Sequence, residues 1–218
     1  MGLDFSVVPD YMDTILLGIL WTLAITLVAA VISVFGGVFF ALTELYAHWF
    51  FKYPIKAFAF IFMGTPLLLQ LFFLYFGLGL IGIPLSPFVA GIIGLGLFYS
   101  VYNSELIQTA MITVDNGQTE GARSLGLSKI QTIHNVILPQ AVRKVIPPMG
   151  NNLIMLMKDS ALVSAIGVTE LIHASELAIG ETFRPFEFYI AAGVCYYIIN
   201  LFMEAGLRKV ERKVQVTK

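Results

Sequence analysis

Five runs of mainly apolar residues, at about 14–42, 56–83, 88–112, 145–166 and 186–207, constrain this chain more than anything else in it. A bilayer core about 30 Å thick takes roughly 20 such residues as one helix. Inside hydrocarbon, only helices and closed barrels satisfy every backbone N–H and C=O. The expected fold is therefore all-α and integral to the membrane, with five transmembrane helices in one domain over residues 1–218. Composition agrees, since the chain is 58% hydrophobic and 12% charged, where a soluble domain carries about 25% charged residues. The fourth run is the least regular because it holds Lys158 and Asp159.

The charges sit almost entirely between the runs, and their sign alternates from side to side. Five spans place the two ends on opposite faces of the membrane. With the N-terminus outside, the cytoplasmic segments hold Lys52, Lys56, Arg123, Lys129, Arg143, Lys144, Arg208, Lys209, Arg212, Lys213 and Lys218, eleven of the 13 Lys and Arg. The outside keeps Arg184 among Asp4, Asp10, Asp13, Glu170, Glu176, Glu181 and Glu187. Short cytoplasmic loops collect basic residues, so the expected orientation is N-out, C-in. The N-terminal segment MGLDFSVVPDYMD has no basic residue, unlike a secretory signal, and no cleaved signal is expected.

Several function classes drop out. A net charge of −1 gives no general attraction for nucleic acid. The one cysteine, Cys195, lies in an apolar run, which excludes a disulfide framework and a thiolate metal site. His48, His134 and His173 share no ligand spacing, so no metal site is expected. The GxxxG from Gly117 to Gly121 lies in a polar loop and is no lipid-buried dimer motif.

The loop at about 113–144 is too long for a simple connector in a compact domain. It carries helix signals. Thr119 reads as an N-cap with Glu120 beside the positive helix end, and Gly126 as the residue that stops the helix. Ser128 and Gln131 form a capping box for a second short helix, which Pro139 is expected to close. Leu125, Leu127 and Ile130 would then be exposed, as in a docking element for another protein or an amphipathic connector on the membrane.

Glu120-Gly121-Ala122, then Gly126, then Val136-Ile137-Leu138-Pro139 resembles the EAA loop of ABC-importer permeases. Gly121 stands where that family usually has Ala, and Val136 where it usually has Ile. Gly64 to Leu71, GTPLLLQL, is similar to the second-span signature of permeases for polar amino acids, although Met63 replaces an Arg often found there. Tyr99 to Glu105, YSVYNSE, and Lys158 to Val168, KDSALVSAIGV, resemble the third-span and fourth-span signatures. The resemblance covers nearly the whole chain. It implies the type I ABC importer fold, with Glu120, Gly121, Ala122, Arg123, Ser124, Leu125 and Gly126 as the coupling helix and its stop. It also implies two ATP-binding subunits, a second permease subunit that is identical or closely homologous, an extracytoplasmic amino-acid-binding protein, and residence in a bacterial or archaeal cell membrane.

No Lys in the chain follows a Gly, so the phosphate-cradling loop of a P-loop ATPase is missing. ATP and Mg are accordingly expected on the partner ATPase, and no cofactor on this chain. Lys158 and Asp159 are costly in lipid, at about 2.5–3.5 kcal/mol each, so their span must face protein or a wet cavity. Substrate-pathway candidates are Thr65, Gln70, Tyr102, Asn103, Glu105, Asn151, Asn152, Lys158, Asp159, Ser160 and Ser164. Among them are acceptors for an ammonium and donors for a carboxylate, as a zwitterion needs. Packing between helices, and for Glu105 an ion pair with a loop Arg, compete with that role. Pro147 and Pro148 are expected to mark the start of the fourth span. A transporter or channel driven by an ion gradient, with Asp159 and Glu105 as ion sites, is the rival reading, and so is a non-transporting scaffold. The carboxylates lean toward cationic amino acids such as arginine; histidine, glutamine and cystine stay open.

Overall fold

The computed structural model describes residues 2–215, so Lys218 of the charge count lies outside the described residues. Among the described residues there are helices and turns and no strand. In chain order they are α1 (Met12–Tyr46), α2 (Trp49–Gly64), α3 (Leu67–Leu80), α4 (Pro87–Ile112), α5 (Asn116–Ser124), α6 (Lys129–Ile166), α7 (Leu171–Thr182) and α8 (Pro185–Gln215). Three of them, α1, α4 and α8, are each long and apolar enough to cross a membrane. The number reaches five when each of the bent pairs α2–α3 and α6–α7 counts as one span.

Lipid tails are as apolar as leucine, so burial from water does not drive these helices together; close packing and interhelical hydrogen bonds do. Along α1 the buried positions Gly18, Thr22, Thr26, Ala29, Ser33, Gly37 and Ala41 recur every three or four residues and form a stripe of small side chains. The α4 backbone lies against it. A Cβ on Gly37 would stand 2.7 Å from Asn103 Cβ, and one on Gly96 2.7 Å from Ile32 Cγ2. The opposite side of α1, with Leu20, Leu27 and Phe35, is exposed and suits lipid. Leu71, Leu95, Tyr99, Leu156 and Val163 fill the core between α1, α3, α4 and α6. A second core, around Ile15, Leu171 and Phe188, joins the start of α1 to α7 and α8.

The second run departs from the single helix expected over 56–83: α2 and α3 meet at 113°. Proline disfavours helical backbone in the residue before it, and Thr65, before Pro66, is extended at φ −121°. Gln70 Nε2 then lies 2.8 Å from Phe62 O and 2.9 Å from Thr65 Oγ1, which bridges the break with polar contacts.

The fourth run also differs. Pro147 and Pro148 lie inside the α-helical stretch Leu138–Asp159, not at its start, and the helix begins at Lys129. Pro139 does not close a short helix either. It follows a π turn over Ile133–Ile137, in which Leu138 N–H bonds to Ile133 O, so the loosened ladder absorbs the missing N–H and the helix runs on. Hydropathy marks where a helix enters lipid, not where it begins, and α6 projects well beyond the apolar run. The last turns, Ser160–Ile166, tighten to 3-10 geometry and end on Gly167 at φ +84°.

Candidate functional site: a polar wall and a helical elbow

Where α4 packs on α6, the interface is polar. Tyr99 Oη donates to Asp159 Oδ2 at 2.6 Å, and Asn152 Nδ2 donates to Asn103 Oδ1 at 2.9 Å. Asn103 Nδ2 passes the chain to Ser33 Oγ on α1 at 3.2 Å, and Ser33 Oγ donates to Ala30 O. Asn103 and Ser33 are fully enclosed, and their bonds join α6 to α4 and α4 to α1 at one level. Bonds made where no water competes hold the helices at fixed rotation.

That rotation decides which side chains remain free. Tyr102 is half-buried and Glu105, one turn further along α4, is exposed. On α6, Asn151, Met155 and Lys158 are exposed and spaced four and three apart, so they share one face. Lys158 and Asp159 do not pair, because adjacent helix residues point about 100° apart: Asp159 turns to Tyr99, whereas Lys158 opens into a cleft of about 410 Å³ with Asn151, Glu204, Arg208 and Glu211. Ser160 and Ser164 turn back to their own helix, donating to Met157 O at 2.6 Å and Ala161 O at 2.8 Å. Thr65 and Gln70 are engaged with each other at the α2–α3 break. The candidates therefore separate into a wall (Tyr102, Asn103, Glu105, Asn151, Asn152, Lys158, Asp159) and residues bonded elsewhere: Thr65 and Gln70 at the α2–α3 break, Ser164 within its own helix, and Ser160, which also hydrogen-bonds Tyr196 on α8.

Three participants escaped the sequence reading. Tyr99 belongs to a recognised segment but reads as an ordinary aromatic, and Ser33 is one small residue of the α1 stripe. Glu170, counted above among outside charges, is wholly enclosed: it caps α7 by accepting from His173 N–H at 2.9 Å, and it accepts from Tyr196 Oη at 2.7 Å. Leu171 N–H, beside it, donates to Thr22 Oγ1 on α1. An acid just before a helix is an N-cap signal, but its burial is a tertiary fact.

The elbow is α5 with the turn behind it. Its N-cap is Asp115, not Thr119: Asp115 Oδ1 accepts from Gly117 N–H at 2.6 Å, which adds a turn to the expected helix and puts Thr119 and Glu120 inside it. Gly126 ends the helix at φ +85°, with Gly126 N–H bonded to Arg123 O and Leu127 N–H to Ala122 O, the paired bonds of a Schellman turn. The Ser128–Gln131 capping box then starts α6. Ala122 is buried, α5 lies against the π turn, and Gln140 Nε2 reaches Gln118 Oε1 at 3.4 Å. Lys144 Nζ donates to Thr113 O at 2.7 Å. Beneath the elbow, Ala110, Met111, Val114, Ala141 and Val145 form a core shared by α4 and α6. Glu120, Gly121, Arg123, Ser124, Leu125 and Gly126 are exposed, and Leu125 and Ile130 are 84% and 79% accessible.

Residues 33–216 match the family model described as the binding-protein-dependent transport system inner membrane component. The chain is 34% identical over 216 residues to the arginine transport system permease protein ArtQ of Bacillus subtilis, covering 99% of each chain. It is 30% identical over 218 residues to the glutamine transport system permease protein GlnP of Escherichia coli, covering 99% of this chain and all of that one. A chain of a solved amino acid ABC transporter with histidines superposes with a TM-score of 0.94 at 34% identity, over 98% of this chain and 100% of the other. The fold also matches the MetNI methionine transporter at 20% identity, with a TM-score of 0.74.

Proposed function

The chain belongs to the inner membrane components of binding-protein-dependent transport systems, among the polar amino acid ABC permeases, and from that premise we propose that it forms the translocation pathway of an ATP-driven importer and passes on the work of a separate ATPase through α5. It is a non-catalytic subunit. In this reading the five spans run N-out, C-in, and two P-loop ATPases with ATP and Mg sit under two permease subunits. An extracytoplasmic binding protein delivers a polar amino acid to the outer face.

The observation that carries the reading is the construction of the elbow. An isolated nine-residue helix is marginal in water, yet α5 is capped at both ends and lies against the first turns of α6, which share a core with the end of α4. These same two helices carry the polar wall. Displacement of α5 therefore reaches the wall through packed side chains and not through slack chain. The exposed Leu125 and Ile130 offer the apolar contact an ATPase cleft requires. At the wall, Asp159 and Glu105 suit the ammonium or a cationic side chain, and the amide of Asn152 and Lys158 suit the carboxylate.

Copurification from membranes tests the reading. The chain is expected to bring a P-loop ATPase with it and to lose that partner when Leu125 and Ile130 are both changed to Asp. Purification of an active transporter without any ATPase would overturn it.

A further inference from the structure

A groove between α6 and α8 runs from the middle of their apolar spans to their basic end. On α6 it is lined by Leu138, Val142, Ile146 and Met149, and on α8 by Leu207, Val210 and Val214. Within each set the spacing is three or four residues, so one continuous face of each helix forms it. Two chambers meet at Ile146. The apolar one, about 440 Å³, also takes in Ala30 and Val34 of α1. Its polar lining is Ser33 and Asn103, which are already bonded to each other at 3.2 Å. Water needs about two to four polar partners to stay in such a place, so this chamber suits hydrocarbon. The basic one, about 520 Å³, adds His134, Arg143 and Lys213 to Leu138 and Val142, and among the described residues no carboxylate lines it. Leu138, Val142 and Val210 are 38%, 44% and 48% accessible, so no described element of the chain covers this face.

Depth separates the chambers as a bilayer separates tail from headgroup. A side chain on Gly150 would overlap Leu207, which fixes the antiparallel register of α6 and α8. Arg143 lies seven residues before Gly150, and Lys213 six after Leu207. At about 1.5 Å per residue, both stand roughly 10 Å beyond that contact, level with each other on facing helices. The apolar runs stop just short of them, at about 145 and 207. The basic chamber is therefore at headgroup level and the apolar chamber within the hydrocarbon.

We infer that the groove binds one anionic phospholipid of the cytoplasmic leaflet, with its phosphate between Arg143 and Lys213 and one acyl chain in the apolar chamber. The inference rests on the N-out, C-in orientation proposed above. The cytoplasmic leaflet carries the anionic headgroups that basic pockets between spans attract. Other occupants fit one half only. The ammonium of an amino acid finds no carboxylate here, and a water-soluble ATPase that met the basic chamber would leave the apolar one unfilled. An acyl chain seated there packs behind Asn103, whose bonds to Ser33 and Asn152 hold the rotation of the polar wall.

The test is photolabelling of the permease together with its ATPase, in nanodiscs of phosphatidylcholine doped with phosphatidylglycerol that carries a diazirine on one acyl chain. Adducts are expected on peptides spanning 146–154 and 203–210, several-fold more than from phosphatidylcholine with the same label. Arg143→Gln with Lys213→Gln should bring phosphatidylglycerol down to the phosphatidylcholine level. Gly206→Leu should lower labelling of 146–154 by either lipid. Gly206 lines the apolar chamber and nothing stands within 4 Å of a Cβ there, so the new side chain takes up the space without a clash. Retention of the ATPase checks that each variant is folded. Equal labelling by the two lipids in the parent would reduce the site to ordinary surrounding lipid and overturn the inference. Absence of adducts at 146–154 while the exposed Leu27 and Phe35 of α1 are labelled would overturn it too, since protein would then fill the groove. Unchanged labelling in both variants would do the same. If the lipid site fails while terminal tags still report N-out, C-in and uptake stays ATP-driven, the import reading stands; the reverse orientation would overturn both.

Discussion

Gly126→Val isolates the elbow from everything else in the molecule. Nothing stands within 4 Å of a Cβ placed at Gly126, so the substitution introduces no clash. What it meets is backbone: φ there is +85°, and an L residue with a Cβ is disfavoured in that region by about 1–2 kcal/mol. If the residue escapes the strain, the bonds Gly126 N–H to Arg123 O and Leu127 N–H to Ala122 O go with it, at about 0.5–1.5 kcal/mol each. Strain alone lowers the ratio of ordered to disordered elbow by roughly 5–30-fold, and loss of both bonds, about 1–3 kcal/mol together, by roughly 5–160-fold. The assay is ATP hydrolysis and amino acid uptake in proteoliposomes holding the permease, its ATPase and the binding protein. Gly126→Val is expected to lose most stimulated hydrolysis and uptake while the spans stay inserted. Gly126→Asn should keep most of both, because Asn adopts left-handed backbone more readily. Gly121→Ala should keep all of it, since its site is open and Ala gains about 0.5–1 kcal/mol over Gly within a helix. Stimulation and uptake by Gly126→Val at the parent level would refute the claim that a rigid elbow carries the coupling.

Asp159→Asn and Glu105→Gln are each expected to lower transport without loss of the ATPase, and normal uptake by both at limiting substrate would remove their carboxylates from the pathway. Tyr99→Phe deletes the hydroxyl that bonds to Asp159 and should raise the substrate concentration for half-maximal uptake more than it lowers the maximal rate. Gly96→Leu drives a side chain into Ile32 and should lower thermal stability in detergent, at a cost of about 1–3 kcal/mol or more for overpacking. A tag at the N-terminus should be reached by impermeant reagents from outside and one after Lys218 should not; equal access would refute five spans.

Much of this was legible because the membrane leaves the chain few options. Apolar runs located the starts of α1, α4 and α8 to within two residues, and the capping box and Gly126 located the turn between α5 and α6. The errors share a cause. Pro66, Pro139 and Pro147-Pro148 carry the same local signal, yet the first breaks a span, the second rides on a π turn and the last pair lies within a helix. Proline states that one hydrogen bond is missing; the surroundings decide how the loss is absorbed. Asp115 competed with Thr119 as N-cap, and an Asp two residues before a Gly took it. The small-residue stripe of α1 was readable at intervals of three and four, but Thr, Ser and Ala in it hide behind a search for glycine alone. Glu170 and the Asn103–Asn152 bond were not readable, since each depends on which helices become neighbours.

The most direct test of the account is the energy source for uptake by the purified chain, reconstituted with its binding protein and ATPase and offered a labelled polar amino acid. Accumulation is expected only when ATP is on the side of the ATPase, and it should persist when proton and sodium gradients are collapsed. Accumulation driven by an imposed ion gradient, with no ATPase in the vesicle, would contradict it.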